Sequence, residues 1–482
     1  MLLTLVIIYL LITIAIGLVA AKRVKNSADF AIAGRHLPIA MIVTTTFATW
    51  FGSETVLGIP ARFVNNGLNG VIEDPFGAGI CLILVGVFFA SKLYKMTLLT
   101  ISDYFRERYG KEVEILCSII IMLSYLGWVS AQVTALGLVF NVLSAGVISI
   151  SLGMIIGVIS ILAYTLFGGM WSVAITDFIQ MIILVFGLAI LAVFAGDQAG
   201  GAGVVIQLAV DKNMFHFLPE ADFKSWMFFI ASALTMMLGS IPQQDVFQRV
   251  MSANNEYSAT RGPVIGGVFY IAFAFVPMFL VVSALIIMPE QAQMLIAQDP
   301  QKVLPTLVMD KMPFVMQVLF FGALLSAIKS CASATLLAPS VTFTENIWRN
   351  IVSRKSDQNE LRAMRVTVLV FSLLVLLYSI AMQGTPIYEL VSGAYQIPLV
   401  GAFTPLVFGL YWKRATTQGA LFAIVLGVTS WLIFVLTPAG EYFPAQLLGL
   451  VASLVGMVVG SLGPQAISDL HGRHHRLVAN NQ

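Results

Sequence analysis

Trp50-Phe51-Gly52-Ser53-Glu54-Thr55, with Gly58 and Pro60 just beyond, interrupts an apolar run over 38–64, and Gly239-Ser240-Ile241-Pro242-Gln243-Gln244 interrupts another over 224–250. Both breaks are polar, carry Gly or Pro, and fall mid-way along stretches long enough to cross a bilayer, which takes about 20 residues per helix. Irregular backbone at that depth survives only where it lines a cavity or is buried in protein. A single break reads equally well as a proline kink. Two breaks five spans apart read as matching points of two copies of a five-helix unit. An odd number of helices per copy turns the second copy upside down relative to the first. This pattern predicts an inverted-repeat transporter, with substrate and ion held where the breaks meet near mid-membrane.

The rest of the chain agrees. Of its 482 residues, 59% are hydrophobic and only 10% charged, against about 25% charged in a soluble domain. Apolar stretches recur from end to end, which excludes a soluble protein. Thirteen spans are expected: 2–20, 38–64, 72–91, 113–142, 146–166, 173–196, 224–250, 263–288, 313–345, 363–383, 387–411, 418–437 and 442–463. The first has no basic residue before it and Lys22, Arg23 and Lys25 after it, the reverse of a signal peptide, so it is expected to be a retained helix with its N-terminus outside. That orientation places twenty of the 26 Lys and Arg on the cytoplasmic side, as the positive-inside rule requires. Arg354, Lys355, Arg473 and Arg476 count among them.

The organisation expected is one transport domain over 1–463. Its first helix is peripheral, 38–196 is one five-helix repeat, 224–411 its inverted copy, 418–463 two further peripheral helices, and 464–482 a cytoplasmic tail. The three cysteines lie in apolar stretches, in neither a disulfide nor a zinc pattern. His471, His474 and His475 read as part of a solvated basic tail. Gly153 and Gly157 form a small-xxx-small pair suited to close packing inside a bundle. Trp128, Trp171 and Trp226 read as interface or core residues rather than ligands.

Several local strings, in order along these spans, resemble the sodium:solute symporter family of proline, choline, sugar and sialic acid carriers. Gly168-Gly169-Met170-Trp171-Ser172-Val173, followed by Thr176-Asp177 and Gln180, is similar to the family's entry to its sixth helix. Gly409-Leu410, Arg414, Gly419-Ala420, Ala423 and Gly427 resemble its second signature, from which Thr429 departs. Ile241-Pro242 with Phe247-Gln248-Arg249-Val250 resembles the choline-carrier branch. The resemblance covers about residues 1–463 and implies an all-α, leucine-transporter-like fold in a bacterial-type inner membrane. It also implies one sodium ion held by the carbonyls of Ala48, Phe51 and Ala327 and by side chains at Ser330 and Cys331. Cys331 stands where the family has Ser or Thr, and a thiol is a poor ligand for a hard cation. Asp177 and Ser333 match a second sodium site of some members, while Ala334 does not.

Lys329 lies deep in the ninth span. A mid-membrane lysine costs about 2.5–3.5 kcal/mol and so reads as functional. One reading pairs its ammonium with Asp177, in place of a second sodium; others pair it with Glu54 or Asp74, or let it snorkel to the surface. The substrate contacts expected are Glu54 and Thr55 at the first break, Glu73, Asp74 and Phe76 at the start of the third span, Gln243, Gln244 and Phe247 at the second break, and Tyr395 with Gln396. Carboxylates among aromatics suit a cationic or zwitterionic nitrogen compound; Glu73 and Asp74 also read simply as helix-start carboxylates.

The function expected is sodium-coupled symport of a small organic solute. A sodium-independent exchanger or proton-coupled carrier of the same fold is the alternative, and a membrane sensor is disfavoured because about twenty residues follow the last span. No nucleophile–base pair, metal cluster or phosphate loop points to an enzyme. The partners expected are a small-molecule substrate and the lipid bilayer, with no nucleic acid and no obligate protein partner.

Overall fold

Long apolar stretches with few charges make helices, because each backbone polar group can then be satisfied within its own segment. In the computed structural model, residues 1–352 and 357–467 are described. Arg354, Lys355, the tail histidines, Arg473 and Arg476 lie outside them.

The principal elements are α1 (Leu2–Ala21), α2 (Ile39–Trp50), α3 (Ile59–Asn66), α4 (Leu68–Lys95), α5 (Lys111–Leu143), α6 (Ile150–Gln198), α7 (Phe223–Gly239), α8 (Gln244–Ser252), α9 (Glu256–Ile287), α10 (Phe314–Ile351), α11 (Asp357–Ala381), α12 (Ile387–Tyr411), α13 (Thr417–Leu436) and α14 (Ala445–Leu462). Ten helices among the described residues are long and apolar enough to cross a membrane, and the pair α7–α8, bent by 43°, makes an eleventh candidate. No strand forms among the described residues; an isolated bridge joins Leu37 to Ala253.

Both breaks read from the sequence are present. α2 ends where Phe51 leaves helical geometry (φ −87°, ψ 69°), and a π-helical turn over Glu54–Gly58 leads into α3. α7 stops at Gly239, and Gln243 is extended (φ −75°, ψ 139°) before α8 begins. Pro242, which has no N–H to give, lies in this gap.

Two expected spans, 146–166 and 173–196, run together as the 49-residue α6. Its interruption is a single residue, Gly169 (φ 46°, ψ −141°). A side chain there would drive into the Phe30 carbonyl and ring, so glycine alone permits this bend.

α10 is the centre of the assembly. It packs against α6, α5, α2, α8, α11 and α1. α1 lies against α6 and α10, and α13 and α14 pair with each other at the other flank, touching the π-turn of α12. Gly153 and Gly157 pack α6 against Gly137, Phe140 and Leu136 of α5, within the bundle.

Candidate functional site

The first break turns Glu54 inward with only 1% of its surface exposed. Trp128 Nε1 donates to Glu54 Oε1 at 3.2 Å, and Gln132 Nε2 to Oε2 at 2.6 Å. The other end of Gln132 accepts from the Ser53 N–H at 2.9 Å, so one side chain holds both the break and its carboxylate. Gly52 completes the fit. A β-carbon on it would stand 2.5 Å from Glu54 Oε2 and 3.0 Å from Cys331 Sγ.

The second break carries a carboxylate of its own. Asp245 Oδ1 accepts from the Tyr125 hydroxyl at 2.5 Å, and the Tyr125 hydroxyl oxygen accepts from the Asp245 N–H at 2.9 Å. Gln243 Nε2 donates to Ser124 Oγ at 2.8 Å. Between the two carboxylates stand four rings. Trp50 lies 5.9 Å from both Trp128 and Tyr395, Trp128 lies 5.2 Å from Tyr395, and Tyr125 stacks on Trp128 at 6.0 Å. Tyr125, Trp128 and Gln132 recur at i, i+3 and i+7 on α5 and share one face.

A second acidic group adjoins this cage. Thr55 Oγ1 is 2.9 Å from the Tyr270 hydroxyl, which donates to Asp74 Oδ1 at 2.5 Å. Ser392 Oγ donates to Glu73 Oε2 at 2.7 Å. Buried polar atoms are ordinarily partnered, yet Trp50 Nε1, Ser53 Oγ, Gln243 Oε1, Asp245 Oδ2, Tyr395 Oη, Asp74 Oδ2, Glu73 Oε1 and Tyr388 Oη are not. They are concentrated around the two breaks, as donors and acceptors available to a polar ligand.

The residues expected to hold sodium converge on Ser330 of α10 from α2 and α6. Ser330 Oγ is 3.2 Å from the Ala48 carbonyl oxygen and 2.5 Å from Asp177 Oδ1, and Thr45 Oγ1 donates to Asp177 Oδ2 at 2.5 Å. The structure thus joins through Ser330 two sites that the sequence presents separately. Ser333 donates to the Ser330 carbonyl and not to Asp177. Asp177 carboxylate, two hydroxyls and a carbonyl form a hard-oxygen set that suits sodium, whereas the Cys331 thiol does not.

Three expected contacts are corrected. Lys329 does not pair with Asp177: its Nζ donates to Thr13 Oγ1 of α1 at 2.6 Å and lies 5.3 Å from the Tyr164 ring centre, because its rotation on α10 points it at the peripheral helix. The same bond leaves it paired with neither Glu54 nor Asp74. Gln244 leaves the cage to accept from the Ile101 N–H at 2.8 Å, satisfying the start of the helix at Ile101–Tyr109. Phe76 packs on Phe217 and Phe275, outside the cage. Phe247 is buried in the core and Gln396 accepts from Trp431 Nε1 at 2.9 Å.

Trp50, Tyr125, Trp128, Gln132, Asp245 and Tyr270 were missed by sequence reasoning. The i, i+3, i+7 spacing on α5 and the acid next to the second break were the signals that could have found them. Trp171, by contrast, stacks on His36 with Arg23 4.7 Å above its ring.

The profile of the sodium:solute symporter family matches residues 30–427. The high affinity choline transporter 1 of Homo sapiens is 27% identical over 447 residues, covering 88% of this chain and 75% of that protein. The high-affinity proline transporter PutP of Bacillus subtilis (strain 168) is 26% identical over 467 residues, covering 94% and 96%. The fold is that of a substrate-bound, outward-open Na+-coupled sialic acid symporter, with a TM-score of 0.84, 18% identity, and 97% of this chain and 99% of that one covered.

Proposed function

The chain belongs to the sodium:solute symporter family, a family of multi-pass membrane transporters and not of enzymes, and from that premise we propose that it carries a small organic cation together with sodium by alternating access. The observation that supports this most is the cage. Glu54 and Asp245 are buried carboxylates joined to Trp128 and Tyr125, and no ion pair among the described residues includes either of them. The charge of Asp245 is partly offset by the buried Arg249 guanidinium, whereas Glu54, walled by aromatic rings, attracts a cation through both charge and ring quadrupole. A quaternary or tertiary ammonium compound without a carboxylate fits best, since among the described residues no basic side chain is hydrogen-bonded to either carboxylate group. The Arg249 guanidinium, the basic group nearest in sequence, donates instead to the carbonyls of Asp245 and Thr45.

Sodium is the co-transported cargo, held by Asp177, Ser330, Thr45 and the Ala48 carbonyl, with Phe51, Ala327 and Cys331 around the same break. Thirteen spans follow if α6 is two spans meeting at Gly169 and α2–α3 one broken span. At about 1.5 Å per residue α6 is more than twice the thickness of a bilayer of about 30 Å. Residues 38–196 and 224–411 are then the inverted repeats, with the N-terminus outside and the chain in a bacterial-type plasma membrane. A cavity of about 490 Å³, lined by Arg62, Asn65, Thr134, Asp299, Gln301 and Tyr388 among others, serves as the outer approach. Arg62 lies over the Tyr388 ring at its floor, 5.5 Å away.

The test is the melting temperature of the purified chain in sodium against potassium at matched ionic strength, with a panel of choline, other amines, amino acids and small acids. A ligand at 100 times its Kd adds about 2.7 kcal/mol to stability. Sodium together with choline or a similar amine is expected to raise the melting temperature most. Stabilisation by acids or amino acids alone, or indistinguishable behaviour in sodium and potassium, would overturn the proposal.

A further inference from the structure

Arg249 lies on α8 one turn after Asp245, with 1% of its surface exposed. Taking a guanidinium out of water is costly without a close counter-ion, yet no ion pair among the described residues includes it. Its charge acts on two carboxylates at once, Asp177 of the sodium set and Asp245 of the cage. Its hydrogen bonds go to backbone. Nη1 donates to the Asp245 carbonyl at 2.6 Å, and Nε to the Thr45 carbonyl at 3.4 Å, which the Thr49 hydroxyl also reaches at 2.7 Å.

Both carbonyls belong to residues of the two sites. Thr45 gives its hydroxyl to Asp177 Oδ2, and Ala48, one turn further along α2, presents its carbonyl to Ser330. Asp245 meets the Tyr125 hydroxyl through both its N–H and its Oδ1. Tyr125 in turn stacks on Trp128, whose N–H holds Glu54. A continuous path of contacts therefore runs from Asp177 through Thr45, Arg249 and Asp245 to the wall of the cage.

The other hydrogen bonds of α8 lead away from the ion. Gln244 reaches Ile101 and Leu99, Gln248 Nε2 donates to the Ala31 carbonyl at 3.0 Å, and the Ser252 carbonyl accepts from the Leu37 N–H at 2.9 Å. Among the described residues, Arg249 alone hydrogen-bonds α8 to a residue of the sodium set. The side chain suits the task. A guanidinium presents its N–H groups in a rigid fork that spans two acceptors, whereas an ammonium is a single point of charge.

We infer that Arg249 is the positioning residue that couples the two sites, passing the order that sodium imposes on α2 to the first turn of α8. Sodium gathers the Thr45 hydroxyl and the Ala48 carbonyl, and so fixes the Thr45 carbonyl on the same turn. Arg249, seated on that carbonyl, then holds the carbonyl of Asp245, and with it the N–H and carboxylate that orient Tyr125. The cage is assembled before the substrate arrives, and less ordering remains for the substrate to impose. By linkage the effect is reciprocal: the substrate raises sodium affinity by the same factor.

This inference rests on the proposed sodium symport. The ratio of choline dissociation constants in potassium and in saturating sodium, measured on the full chain at matched ionic strength, separates the two. In the wild type, sodium is expected to tighten choline binding at least about fivefold, the lower end of usual coupling. In Arg249→Gln and Arg249→Lys the ratio is expected to fall to within about twofold of one, while each protein still binds sodium by itself. Lysine keeps the charge and loses the fork, so it tells position from electrostatics, and it serves if Arg249→Gln does not fold. A merely structural role would lower the melting temperature and weaken both ligands without changing the ratio. A wild-type ratio in either variant, or loss of sodium binding itself in both, overturns the inference and leaves symport standing. A wild type that binds no choline, or binds it alike in sodium and potassium, removes the symport reading on which the coupling rests.

Discussion

Trp128 does two jobs with one side chain: its N–H anchors Glu54, and its ring stacks on Tyr125 and meets Tyr395 at a tilt. Truncating it to Ala removes a wall and frees the carboxylate together. Glu54→Gln is the cleaner test of charge, because an amide keeps the shape and part of the hydrogen bonding. It is expected to weaken binding of a cationic substrate by about tenfold or more, about 1.4 kcal/mol per factor of ten, in equilibrium binding measurements, while leaving the ligand-free melting temperature nearly unchanged. An equal loss for a neutral analogue would show that charge is not what the cage reads. At the ion site Cys331 is the residue to change. Cys331→Ser returns a hard oxygen beside the first break and is expected to tighten sodium binding several-fold, roughly 1 kcal/mol by the same arithmetic. Glu54, Thr55 and Gln243 were legible because each sits at or beside a visible break. Tyr125 and Trp128 were not, since a helix that is apolar all round gives no contrast between the face toward a ligand and the face toward its neighbours.

At the scale of the element, the decisive residues are those that stop helices. Phe51 and Gly52 end α2 so that Glu54 can turn inward, and Gln243 does the same for Asp245 at the start of α8. Gly169 is a third such point. Its φ of 46° and ψ of −141° lie in a region that other residues rarely enter, at a cost of about 1–3 kcal/mol where they do. Gly169→Ala adds a collision with the Phe30 carbonyl. It is expected to lower the melting temperature by several degrees and to weaken sodium binding as well, because the bend sets where Asp177 on the second half of α6 falls. Intact sodium affinity in a folded Gly169→Ala protein would separate the bend from the ion site. The helix interruption here was the reading most easily misjudged. Gly168-Gly169 reads as a gap between two spans, whereas a single residue suffices, because the backbone on either side keeps its hydrogen bonds.

At the scale of the whole molecule, the two ends of the bundle differ. At one lies the cavity of about 490 Å³ above Tyr388. At the other Asn346, fully buried on α10, donates to Asp103 at 2.8 Å and Glu114 at 2.9 Å and accepts from Thr100 at 2.8 Å. Arg106 adds an ion pair to Glu114 at 3.7 Å, and Arg349 one to Glu345. This network ties α10 to α5 and to the helix at Ile101–Tyr109. Asn346→Ala breaks three bonds at once and is expected to favour opening there. With Cys81 and Cys117 replaced by Ala, alkylation of the buried Cys331 by a maleimide should become several-fold faster, a shift of roughly 1 kcal/mol in the opening equilibrium, and a bound substrate should slow it. An unchanged rate would mean that the network does not gate this end. The sequence by itself determined that the chain is a bundle of membrane helices with two broken members, because helix length, apolarity and helix-breaking residues are local properties that survive without neighbours. Only the tertiary structure decided that Trp50, Trp128 and Tyr395 close around Glu54, that Ser330 belongs to Asp177, and that Lys329 turns to Thr13. Those outcomes depend on the rotation of each helix about its own axis, and between uniformly apolar helices that rotation is set by packing alone.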